Sequence, residues 1–138
     1  MTEDTKAVCE VLPGLLHCAG GTGEVTVAWS FVAEEPFSIQ MLVIVDTETN
    51  FAVVFSRELL LCGLRHRAGP GDVVIGPGII RGSAGSLWIR FPTSFGVTLV
   101  EVPREPVAAF IFATYDVVAP AQELDHLDLD AELLALFT

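Results

Sequence analysis

From Val25 onward, apolar residues recur at every second position, and that period constrains the chain more than any other feature. Val25, Val27, Trp29 and Phe31 alternate with Thr26, Ala28 and Ser30, the pattern of a strand with one buried face. Glu34-Glu35-Pro36 breaks the run, and Phe37, Ile39, Met41, Val43 and Val45 resume it. Leu42 and Ile44 make this second run apolar on both faces. A turn over 46–50 then returns the chain as a hairpin strand over 51–55. An earlier strand is expected over 8–16, with Pro13-Gly14 pointing to an edge position or a bulge.

A short helix follows. Ser56 is placed to cap its N-terminus, and Gly63 suits the left-handed position after its last turn. Gly69-Pro70-Gly71 closes a loop, and a short strand over 72–75 is ended by Gly76-Pro77-Gly78. A glycine-rich connector covers 79–85. Leu87, Ile89 and Phe91 alternate with Trp88 and Arg90, and a strand over 97–102 is apolar on most of both faces. Val107, Phe110, Ile111, Thr114 and Val118 lie on one face of a helix that begins near Arg104-Glu105-Pro106 and ends at Ala119-Pro120. A last helix is expected over 129–137, with Asp128 as its cap. The fold class is therefore α+β and mostly antiparallel β, as two packed sheets or a partly open barrel of about seven or eight strands with three helices.

With 138 residues, one domain is expected, and 51% hydrophobic residues exclude a disordered chain. The longest stretch without a charged residue has 13 residues, 11–23, too short for a membrane-spanning helix. The Met-Thr-Glu-Asp-Thr-Lys start lacks the layout of a secretory signal, so a cytoplasmic protein is expected. Net charge is −11, with a net −7 over 1–50, +3 over 51–104 and −7 over 105–138. Nucleic acid and anionic membranes need clustered Lys and Arg, so both are poor partners. Six Arg against one Lys fits a protein interface, where Arg is enriched and Lys depleted.

No catalytic, cofactor or metal motif emerges. Cys9, Cys18 and Cys62 lack a paired spacing, and His17, His66 and His126 are isolated. Gly20-Gly21-Thr22-Gly23 precedes a strand and lacks the Lys-Ser/Thr of a phosphate loop. Gly82-Ser83-Ala84-Gly85 is no nucleophile elbow. Asp125, Asp128, Asp130 and Glu132 lack the glycine and glutamate of a calcium loop, and helix capping accounts for them.

One segment is more specific. Val54-Phe55-Ser56-Arg57-Glu58-Leu59-Leu60, then Gly63-Leu64, Gly69-x-Gly71-Asp72-Val73 and Pro77, resembles the SsgA-like proteins, small sporulation and cell-division proteins of actinomycetes. Gly96, Leu99, Glu101, Pro103, Phe110, Thr114, Val118, Pro120 and Glu123 agree in register, and Asp128-Leu129-Asp130-x-Glu132-Leu133 closes the match. The resemblance implies a Whirly-like antiparallel fold, assembly as a homotrimer and no catalysis. It also implies adaptors at division septa, whose partners are FtsZ, the tubulin-like GTPase of the division ring, and other SsgA-like proteins. The alternative is single-stranded nucleic-acid binding, in which Trp88, Arg90 and Phe91 would stack on and pair with bases.

Strands apolar on both faces need a cover, which points to a homo-oligomer. Phe55, Leu59, Leu60 and Leu64 should form one buried cluster. Arg57 and Glu58 open a short capped helix and are expected to project outward; with Trp88 and Arg90 they are the candidate contacts to a partner or within the oligomer. On that reading, Arg57→Ala leaves stability within about 1 kcal/mol.

Overall fold

The computed structural model describes residues 6–69, 71–78 and 85–119. Among the described residues, seven strands form one antiparallel sheet: β1 (Ala7–Cys18), β2 (Gly21–Val32), β3 (Ser38–Ile44), β4 (Asn50–Ser56), β5 (Val74–Gly78), β6 (Ser86–Thr93) and β7 (Gly96–Pro103). Their spatial order is β4-β3-β2-β1-β7-β6-β5. Helix α1 (Arg57–Gly63) follows β4, and α2 (Arg104–Val117) follows β7. The helix expected over 129–137 lies outside the described residues, as does most of the connector over 79–85.

The sheet is strongly curled. Phe51 on β4 and Phe91 on β6 bring their ring centroids to 6.4 Å. A flat sheet would hold those strands about 24 Å apart, five strand spacings. The architecture is thus a curled half-barrel, so of the two forms expected the partly open barrel holds, not the pair of packed sheets. Residues at alternate positions turn inward: Val25, Val27, Trp29 and Phe31 from β2, Ile39, Met41 and Val43 from β3, and Leu87, Ile89 and Phe91 from β6. Helix α2 packs onto this inner face with Val107, Phe110, Ile111 and Thr114 buried. Trp29 sits at the centre, with Phe55 edge-on at 6.2 Å and Phe110 at 6.1 Å. All nine elements contribute to one core cluster.

Local expectations fail at three places. Pro13 lies in neither an edge strand nor a bulge: β1 is central, and its register with β2 runs unbroken from Ala7 opposite Val32 to Cys18 opposite Gly21. The proline is tolerated because β7 pairs with β1 only over 15–17, so the other side of β1 carries no ladder at Pro13. Gly76-Pro77-Gly78 does not end β5 but belongs to it, and Pro77 is accommodated because β5 is an edge strand.

The third concerns Gly63. It is the last residue of α1, and Leu64 after it is right-handed at φ −68°. Ser56 does cap the helix, its side chain accepting from the Leu59 amide at 2.9 Å. Close approach explains the glycine, since a Cβ there would overlap the Ile75 side chain, 2.6 Å from its Cβ. Gly69, by contrast, does need positive φ, at +126°. Gly63→Ala should therefore cost about 1–3 kcal/mol in urea unfolding, the range for overpacking. The loss should be smaller in an Ile75→Ala background, which removes the overlapping Cγ2 but keeps the Cβ, and a Gly63→Ala loss under about 0.5 kcal/mol would refute the contact.

Candidate functional site

The helix period that builds α1 also decides which of its residues can meet a partner. Leu60 and Leu64 lie three and seven positions after Arg57, so Arg57 shares their inward stripe. Its side chain is fully buried. Nη1 donates to the Thr114 carbonyl at 3.0 Å, and the guanidinium stacks over Tyr115 at 4.0 Å and Phe31 at 5.0 Å. The expectation that Arg57 projects outward is wrong: it is an internal strut between α1, α2 and β2. Leu60 on the same stripe is completely buried, Phe55 and Leu64 nearly so, and Leu59 packs half-buried against them. Glu58, one position round from Arg57, is exposed.

Trp88 and Arg90 lie two apart on β6 and share its outer face, both half-buried. The indole is held rather than free. It lies against the Gly76 backbone, and its Nε1 donates to the Pro77 carbonyl at 3.0 Å. The Arg67 guanidinium sits 5.9 Å from the ring centroid. Phe91 is 1% exposed and points into the core, so it cannot stack on a base. The three residues of the nucleic-acid alternative therefore do not converge, and Arg57 and Glu58 stand on another element.

Beside Trp88 the outer face carries a polar pair. Glu101 on β7 is opposite Trp88 in register and only 8% exposed. Its Oε1 lies 3.4 Å from His17 Nε2, an ion-pair distance without hydrogen-bond alignment. His17 Nδ1 is 3.1 Å from Thr22 Oγ1. Among the described residues no group of three or more His, Cys, Asp or Glu is arranged to hold a metal ion.

Away from this pair the outer face carries one apolar row among polar ones. Val11, Ala28, Leu42 and Ala52 stand in register across β1, β2, β3 and β4 and form one row. Val54 stands in the neighbouring row with Gln40 and Ser30. Val11 and Val54, on β1 and β4 at opposite ends of these rows, are 63% and 61% exposed. The two-faced hydrophobicity of the sequence is thus resolved: one face forms the core and the other faces outward.

Comparison with known proteins agrees with this geometry. Residues 25–123 match the family described as Streptomyces sporulation and cell division protein, SsgA. The sporulation-specific cell division protein SsgB of Thermobifida fusca is 28% identical over 129 residues, 94% of this chain and 93% of that protein. SsgB of Salinispora tropica is 38% identical over 99 residues, 70% and 68% of the two chains. Among solved structures, SsgB from a study of longitudinal cell division in sporulating Streptomyces coelicolor superposes with a TM-score of 0.80. It is 24% identical, and the match covers 92% of this chain and all of the other. An SsgA-like protein of Thermobifida fusca gives 0.78 at 23% identity, covering 99% of this chain and all of that one. Both establish a shared fold.

Proposed function

This chain belongs to the SsgA family of sporulation and cell division proteins, and from that premise we propose that it is a non-enzymatic adaptor in sporulation-specific cell division. On this reading it recruits or positions FtsZ at septation sites, together with other SsgA-like proteins. The observation that carries the reading is the end-to-end relationship to proteins named for sporulation-specific division. An apolar row on the outer face of the sheet, which no described helix covers, supports it. Capture of purified FtsZ by the immobilised chain is the test. Saturable capture is the expected outcome, and its absence, with and without a second SsgA-like protein, would sink the reading.

The adaptor acts as a homo-oligomer, a trimer by the resemblance, with the Val11–Ala52 row within the contact. Exposed Glu58 and half-buried Trp88 and Arg90 are further contact candidates; Arg57, inside the subunit, is not. Light scattering should give about three times the chain mass of 14.8 kDa. Val11→Asp with Val54→Asp should lower it without unfolding the chain, since both side chains are exposed. A 14.8 kDa species at micromolar concentration would contradict the assembly. The nucleic-acid reading has no comparable support, given a net charge of −11 and a buried Phe91.

A further inference from the structure

Three hairpin turns meet at one end of the half-barrel: 18–21 between β1 and β2, 45–49 between β3 and β4, and 93–97 between β6 and β7. They enclose an apolar cavity of about 360 Å³, lined by Leu16, Cys18, Val45, Phe51, Phe95 and Thr98 among others. Leu16 and Thr98 form its buried floor. Phe51 and Phe95 stand edge to face as one wall, with centroids 6.1 Å apart. The Thr98 hydroxyl is already engaged, 2.9 Å from Thr93 Oγ1 and 3.3 Å from the Gly96 carbonyl.

The rim is more apolar than its turns require. Phe95 is 61% exposed at the tip of the two-residue turn Ser94-Phe95, after which Gly96 takes the positive φ. Nothing in the turn geometry calls for a phenylalanine there. An exposed aromatic beside a half-open apolar cavity is a common feature of binding hot spots.

Charge selects the occupant. Asp46 and Glu48 are exposed in the turn whose Val45 and Thr49 line the cavity, with one Asp46 carboxylate oxygen accepting from the Glu48 and Thr49 amides, and none of the three turns contains Lys or Arg. That field disfavours an anionic bilayer, and it disfavours a second copy presenting the same end. A polypeptide segment with a short apolar anchor flanked by basic residues satisfies both the cavity and the rim. We propose that the mouth of the half-barrel docks such a segment, its anchor seated between Leu16, Phe51 and Phe95 and its bases facing Asp46 and Glu48. The inference rests on the adaptor reading only in taking the partner to be a protein.

Fluorescence anisotropy on the full chain at low salt provides the test. The probe is a labelled peptide of sequence Arg-Lys-Leu-Phe-Lys-Arg, with controls in which Leu-Phe becomes Ala-Ala or the bases become acids. The basic apolar peptide should bind saturably, about tenfold more tightly than either control. Phe95→Ser, at an exposed tip, should weaken it about tenfold, and Glu48→Lys about threefold. Equal binding of the acidic peptide, or indifference to Phe95→Ser, would overturn the proposal. So would Phe95-dependent binding to phosphatidylglycerol vesicles in preference to the peptide. Capture of FtsZ without peptide binding overturns the mouth site and leaves the adaptor reading standing. Peptide binding without capture of FtsZ does the reverse.

Discussion

Arg57→Ala is expected to lower the unfolding free energy by about 2–4 kcal/mol. A charged hydrogen bond contributes about 1.5–3 kcal/mol and a desolvated cation–π stack about 2, while removal of a buried charge offsets part of the loss. The Arg57 side chain makes both contacts, to the Thr114 carbonyl and over the Tyr115 ring, with no exposure to water. Arg57→Met keeps most of the volume and should lose less than the alanine variant. Urea unfolding measures both, and a loss under about 0.5 kcal/mol for Arg57→Ala, as at an ordinary surface site, would contradict the buried placement.

Leu60→Ala should cost about 2–5 kcal/mol, the range for emptying a buried leucine site. Leu60 is 0% exposed in the core cluster that also holds Phe55 and Leu64. The upper half of that range is expected, because the site is walled by elements remote in sequence. Helix α1 lies against both β5 and α2, and neither can collapse into the cavity without moving the other. Thermal and urea denaturation should agree on a cooperative, less stable protein. A loss below about 0.5 kcal/mol would mean that α1 does not pack as described.

The inward-facing residues of β2, β3 and β6 and the buried stripe of α2 were legible in the sequence because burial of one face imposes a period on it. The missed features depend on neighbours that no local period encodes. Pro13 pointed to an edge because a central strand normally needs its amide on both ladders, yet β7 stops pairing before reaching it. Gly63 had the position of a left-handed cap, and only Ile75, twelve residues on, shows that space is the reason. Arg57 was the avoidable error. Its spacing to Leu60 and Leu64 put it on the inward stripe, and its charge argued the opposite until Thr114 and Tyr115 supplied partners. The mouth cavity could not be read at all, being assembled from three turns far apart in the chain. The outer apolar row was half legible, as strands apolar on both faces, but its alignment across four strands needed the register.

The role in sporulation-specific division is tested most directly by deleting the gene in its native host and imaging membrane-stained septa in sporulating cells. Vegetative growth should continue while sporulation septa are lost or misplaced, and a plasmid copy should restore them. Normal septation and normal spore chains in the deletion strain would contradict the role.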